Sequence, residues 1–260
     1  QQPAAAPAAC DNRMEGVGGR SLEDRLVGRE LSVHAVSDGE RYLVLPAARD
    51  HKRVHDGDRG PNTGGMGVVC PAPDADAALL ARVGREIIEP TLAAMRARGA
   101  PFRGVLFAGL MVTPAGEPLL LEHNVRFGDP ECEALMEVID GDLAALLASA
   151  AAGRLDESSV RLASDRSAAV VILAAAGYPA SPRRGDRITG VDAVDGVDGV
   201  QVHHAGTEMQ DDGLVTAGGR VLAVTARGTS LAEARSAAYR AAERITFAGK
   251  HYRRDIGATS

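Results

Sequence analysis

The sequence predicts an α/β (α+β) protein built in two successive parts, and three observations predict it. Short apolar or alternating runs of strand type recur between segments with apolar residues three and four apart. Clusters of Gly, Pro and Asp punctuate the two kinds of segment. A polar connector, "GRLDESSVRLASDR" at 153–166, interrupts the series, which then restarts, so a boundary is expected near residue 160.

The elements follow in order. "RLVGRELSVHAVSDGERYLVLPA" reads as two strands around Asp38-Gly39, a hairpin dipeptide. A glycine-rich loop comes next. Between Asp76 and Arg98, Leu80, Val83, Ile87 and Met95 recur at helical spacing, with Pro90 marking a kink or break. "RGVLFAGLMVT", the turn "PAGEP" and "LLLEHNVRF" form a second hairpin, apolar enough for its first strand to be buried on both faces. A helix follows, carrying Leu143, Leu146 and Leu147 on one side. Beyond the connector, "AAVVILAAA" is a strand, the stretch to "VQVHHAGT" is strand and turn, "GGRVLAVTA" is a strand, and Leu231–Ile245 is a helix.

A chain of 260 residues with 45% hydrophobic content has ample material for a core. Its formal charge of −6 gives no bulk attraction to nucleic acid or an anionic membrane, so neither is expected as a partner. A bound phosphate must be held by a local site. The cysteines Cys10, Cys70 and Cys132 are odd in number and match no zinc spacing, which points to a reducing cytoplasm. No apolar stretch reaches the ~20 residues of a spanning helix. The opening "QQPAAAPAAC" lacks a basic start and a long apolar core, and reads as a disordered tail.

The charged run "DHKRVHDGDRGPNTGGMG", Asp50 to Gly67, sets Asp50, Lys52 and Arg53 beside four glycines within eight residues. Cations next to pliable backbone N–H groups suit anion capture by the Asn62, Thr63, Gly64, Gly65 and Gly67 loop, although "NTGGMG" alone is also an ordinary turn. In "LLLEHNVRFGDPE" alternate residues of a strand share a face, so Glu122, Asn124 and Arg126 line up roughly 7 Å apart. A carboxylate and an amide oxygen are hard ligands for a magnesium–polyphosphate, and Arg126 would neutralise a transferring phosphoryl group. The competing reading is an exposed polar face on an edge strand; the leucines just before argue for burial. His203 and His204 would point to opposite faces of a strand, and Gly57 and Gly60 rule against a helix that could pair His51 with His55, so both histidine pairs read as solvated or substrate-facing. "VDAVDGVDGV" reads as a surface turn.

Taken together, "RDHKR", "GPNTGGMG", "GVLFAGLM", "EHNVRFGDPE" and the terminal "YRRDIG" resemble the phosphoribosylamine–glycine ligases (glycinamide ribonucleotide synthetases), with "RFGDPECE" as the identifying run. The resemblance runs from Met14 to Gly257 and implies an organisation: an unmatched tail at 1–13, a partial ATP-grasp domain at 14–160, and a small mixed α/β carboxy-terminal domain at 161–260. It implies ATP-dependent joining of glycine to 5-phosphoribosylamine in purine synthesis, with Mg2+ or Mn2+. It further implies that Glu122 and Asn124 hold the metal, that Glu23, Leu26 and Glu30 hold adenine and ribose, and that Arg126 and Asp129 sit in the reaction centre. Asp50, Lys52, Arg53 and the Asn62–Gly67 loop would then bind the sugar phosphate and the amino acid. His123 departs from the aromatic residue usual between the ligands and is expected to pack on the back face. The family's amino-terminal domain and first ATP-grasp half are not matched, and Lys52 and Lys250 are the only lysines. The expectation is therefore a ligase fragment needing an amino-terminal half as partner, or else a non-catalytic remnant or interaction module with the same fold.

Overall fold

The computed structural model describes residues 26–194 and 196–258. Strands β1 (Arg29–Ser37) and β2 (Tyr42–Val44) form the first hairpin. Its loop spans four residues, because the Asp38 carboxylate accepts from the Glu40 and Arg41 amides and from distant Leu155. These bonds hold the Asp38 carboxyl down at about 2 despite the opposing effect of burial. Then come β3 (Arg49–Asp50), a small hairpin of β4 (Arg53–His55) and β5 (Arg59–Asn62), and β6 (Gly67–Cys70).

Helix α1 (Ala77–Val83), capped by the Asp76 side chain, runs through a π-helical turn at Gly84–Ile88 into α2 (Glu89–Ala97). Pro90 therefore neither breaks nor ends the helix. It sits at the start of α2, where no backbone N–H is required of it, and the wider turn before it absorbs the misfit. Next are β7 (Gly104–Val112), β8 (Pro118–Asn124), α3 (Glu131–Val138), β9 (Ile139–Gly141), α4 (Leu143–Ala151) and β10 (Val160–Leu162). The later part holds β11 (Ser167–Ala174), β12 (Val200–His204), β13 (Thr207–Gln210), β14 (Gly213–Thr216), β15 (Arg220–Gly228) and α5 (Leu231–Arg244).

Two antiparallel sheets organise the chain, one ordered β2-β1-β7-β8 and one ordered β12-β15-β11-β6-β3. The second sheet joins strands from both sides of residue 160. After Ser167, strand β11 is apolar to its end because both its faces are covered. Ala168, Val170 and Ile172 pack with α3 and α4, while Ala169, Val171 and Leu173 pack with the alanine face of α5. A third cluster sets Val83, Ile88 and Leu92 against Leu31, Val33, Leu106 and Leu110 of the first sheet. As expected, β7 is buried along most of its length. Strand β8 corrects the expectation: it is the sheet's edge, Leu120 is 42% and Leu121 47% exposed, and consecutive leucines did not signify burial.

Candidate active site

The ends of β1, β3, β5 and β8 converge on a cavity of about 230 Å³ whose walls include Glu30, Ser32, Asp50, Lys52, Asn62, Gly109 and Glu122. Asp50, only 8% exposed, ends β3 under the glycine loop. The Lys52 ammonium lies 3.5 Å from its carboxylate. Glu131, buried at the start of α3, accepts a 2.7 Å hydrogen bond from the Ser32 hydroxyl. Burial, and secondarily the Glu131 charge, lift the Asp50 carboxyl to about 7. Burial also works against the Lys52 ammonium, yet Asp50, Glu131, Glu30 and Glu122 together raise its pKa above the usual lysine value. One cation thus serves four carboxylates.

A second cavity of about 570 Å³ shares Glu30, Asp50, Lys52 and Asn62 with the first. Arg29, Arg49, Arg53, Asp58 and Arg253 also contribute to its wall. Arg253, 1% exposed, donates to Asp58, to both oxygens of Asp255 and to the Arg53 carbonyl. The terminal segment is thereby strapped to the β4–β5 hairpin, and the Asp255 carboxylate accepts from the Gly57 amide as well. His51 is a bridge within this strap and not a solvated group. Its Nδ1 faces the Gly67 carbonyl and its Nε2 accepts from the Gly257 amide, while burial and Arg253 hold it neutral at about 4.

From Thr63 to Met66 the glycine loop does not present free N–H groups. The Thr63 amide donates to the Lys52 carbonyl, Gly64 to the Tyr178 hydroxyl, Gly65 to the Thr63 hydroxyl and Met66 to the His51 carbonyl. The glycines serve close packing instead: at Gly65, with φ +111°, a Cβ would lie 2.6 Å from Pro130 and 2.7 Å from the Asp50 carboxylate. An anion cradle of backbone amides is therefore absent at Thr63–Met66, since each donor is already spent.

On β8, Glu122 pairs across from Gly109 and Asn124 from Phe107, with a register shift that leaves Leu121 unpaired. The strand ends at Asn124, so Arg126 lies beyond the alternation; it is exposed and donates to the Phe127 carbonyl at 2.8 Å. His123 does pack behind, its ring nitrogens meeting the Phe107 carbonyl and the Thr91 hydroxyl at 3.1 Å. Asp129 is paired 3.0 Å from Arg220. Of the expected site residues, Glu30, Asp50, Lys52, Asn62 and Glu122 meet in one cavity and Arg53 joins the adjoining one. Asn124, Arg126, Asp129, Thr63, Gly64, Gly65 and Gly67 lie outside both walls. Leu26 is partly buried at the start of the described chain, and Glu23 lies outside the described residues. Lys250, the other lysine, donates to the Ala242 and Ile245 carbonyls and caps α5. Glu131, Arg220 and Arg253 escaped the sequence reading as site residues, although Glu131 and Arg253 lie within the runs "RFGDPECE" and "YRRDIG".

The fold and site define an ATP-grasp protein: residues 6–132 match the family model "Phosphoribosylglycinamide synthetase, ATP-grasp (A) domain", and residues 168–259 match its C domain. The chain belongs to the phosphoribosylamine–glycine ligase family, of which it represents the carboxy-terminal portion. It is 46% identical to the phosphoribosylamine–glycine ligase of Brucella melitensis, over 96% of this chain and 59% of that protein. For the Caulobacter vibrioides ligase the figures are 48%, 98% and 60%. The crystal structure of the Thermotoga maritima ligase superposes with a TM-score of 0.80 at 38% identity, over 90% of this chain and 57% of that one. N5-carboxyaminoimidazole ribonucleotide synthetase from Thermotoga maritima, at 16% identity and a TM-score of 0.55 over 84% of this chain and 52% of that one, shares the fold alone. The chain spans about 60% of the length of the curated bacterial relatives it matches.

Proposed function

We propose that the chain supplies the later part of a ligase that joins glycine to 5-phosphoribosylamine with consumption of ATP, giving glycinamide ribonucleotide, ADP and phosphate in purine synthesis. In this reading the glycine carboxylate attacks the γ-phosphorus and ADP leaves. The amine then forms the new C–N bond at the acyl carbon, and phosphate departs from the glycyl phosphate with the bonding electrons. The observation that carries the reading is the shared cavity, where the exposed Glu122 of β8 faces the same space as the Asp50–Lys52 pair.

The donor set fits a divalent cation: one carboxylate (Glu122) and one amide oxygen (Asn124), two residues apart at a strand end, leave most positions for nucleotide phosphates and water. Mg2+ suits that partial cage, and Mn2+ takes the same donors. When bound, the cation would neutralise phosphate charge as the carboxylate approaches. The carboxylates around Lys52 suit a substrate ammonium, and Lys52 itself, which also lines the larger cavity, suits a substrate carboxylate or the sugar phosphate. Arg29, Arg49 and Arg53 of the larger cavity suit the sugar phosphate. Glu30, Leu26 and Glu23 are assigned to the nucleotide, and Arg126 and Asp129 to the rim of the reaction centre. Asn62 is assigned to direct substrate contact, while Thr63, Gly64, Gly65 and Gly67 stand behind the wall, with Gly65 packed against Asp50.

The division near residue 160 fits the two family models, which fall on either side of it, although the shared sheet makes the two parts one packed body. A cytoplasmic setting fits the free thiols of Cys70 and Cys132; no helix among the described residues is long and apolar enough to cross a membrane. The test is an assay of the purified chain for ADP release dependent on both glycine and phosphoribosylamine, alone and mixed with the amino-terminal portion of a longer relative. Activity on mixing is the expected result. Its absence in both arms would overturn the reading in favour of a non-catalytic module.

A further inference from the structure

We propose that Arg220 is a positioning residue: it clasps the glycine loop to the Asp129 turn from the later part of the chain and so fixes Asp50 in the cavity wall and Glu131 buried behind it. Arg220 opens β15 beside a register shift, where Leu173 pairs with Leu222 but Ala174 pairs with Arg220, leaving Val221 as an extra residue. Such a bulge re-aims the neighbouring side chain, here away from the ladder and toward Gly64 and Asp129. Its Nη1 donates to the Gly64 carbonyl at 2.7 Å and to the Asp129 carbonyl at 3.0 Å, and its Nη2 lies 3.0 Å from the Asp129 carboxylate. The Gly64 amide in turn donates to the Tyr178 hydroxyl at 3.1 Å. Tyr178 packs where Gly219 has no side chain to obstruct it. Both polar backbone groups of Gly64 are thus held by side chains from beyond residue 160.

The clasp has a short path to the carboxylates. Gly65 is wedged between Pro130 and the Asp50 carboxylate, and Gly128 sits so close to Glu131 that a Cβ would collide with its carboxyl group. The loop and the turn that Arg220 joins are therefore the two walls that Asp50 and Glu131 lean on. A fork of charge-assisted donors is suited to fixing two backbone segments at once, in a way a lysine ammonium only partly reproduces.

The experiment has two arms. In the 260-residue chain, amide exchange followed by NMR is compared for wild type, Arg220→Met and Arg220→Lys. The methionine variant should exchange the Thr63–Met66 amides roughly tenfold faster or more, as loss of a charge-assisted bond implies. The lysine variant should fall between, and β11 amides should not change. Unchanged loop exchange, or equal acceleration of β11, would overturn the proposal. Should Arg220→Met fail to fold, Tyr178→Phe should speed exchange of Gly64, and no effect there would count equally against it. In the mixed assay, which rests on the ligase reading, kcat should fall at least ~10-fold with the ATP KM within about twofold, and lysine should restore part of it. An unchanged kcat, or a loss confined to the ATP KM, would refute the positioning role. An inactive wild-type mixture would defeat the ligase reading alone, because the exchange arm needs no turnover.

Discussion

The Lys52 ammonium sits 3.5 Å from the Asp50 carboxylate, and that pair joins the two cavities of the site. Its own burial, and after that the charge of buried Glu131, press Asp50 to stay protonated. Its titration has a direct thermodynamic consequence. A carboxyl lifted from 3.8 to about 7 in the folded protein binds its proton more tightly folded than unfolded. Its contribution to stability is therefore favourable at low pH and is lost as pH rises from about 4 to about 7. Asp50→Asn should raise Tm at pH 8 by about 2–4 °C, the shift that ~1 kcal/mol gives a chain of this size, and have little effect near pH 4. Calorimetry at the two pH values checks this; a uniform loss of Tm would contradict it.

Glu122→Gln removes the single carboxylate assigned to the cation while keeping its size. In the mixed ligase, turnover should drop at least ~100-fold, as lost metal stabilisation of transition-state charge implies. Near-normal turnover at ordinary magnesium would remove Glu122 from the metal site.

Lys52→Ala separates substrate from nucleotide binding. The apparent KM for phosphoribosylamine should rise about tenfold or more while that for ATP stays nearly constant. An effect confined to ATP would reassign Lys52 to the nucleotide.

Arg253→Met replaces a buried guanidinium that satisfies Asp58, Asp255 and the Arg53 carbonyl. Leaving those acceptors unpaired should cost about 2 kcal/mol or more. Urea unfolding followed by circular dichroism measures it. A change within 0.5 kcal/mol, about that of a neutral surface site, would show that the strap is dispensable.

The sequence made the long elements legible for simple reasons. After Ser167, strand β11 is an unbroken apolar run because it is covered twice, and α5 carries its alanines at helical spacing. Short elements gave less: α3 is only eight residues long and its N-cap is Pro130, with no capping side chain to mark its start, and the β13–β14 hairpin is polar, with Met209 72% exposed. Alternation is the signal that singles out the metal-type pair, and Glu122 and Asn124 do lie within β8. The burial argument behind it failed, since edge leucines look like core leucines in a string of letters. Arg220 was invisible for a different reason. Its partners Gly64 and Asp129 are distant in sequence, and only the bulge in β15 aims it at them.

The five-stranded sheet has a consequence for synthesis on the ribosome. Val68 of β6 pairs with Val170 of β11, roughly a hundred residues later in the chain. At the ~5–20 residues per second of translation, β6 waits about 5–20 seconds for its partner to be made. Through that interval β6 has only the two-residue β3 beside it, and the edge destined for β11 stays unpaired. A nascent chain of this protein is thus a natural client for a chaperone that shields hydrophobic strands, and codon changes that slow translation between residues 70 and 167 would lengthen the exposure.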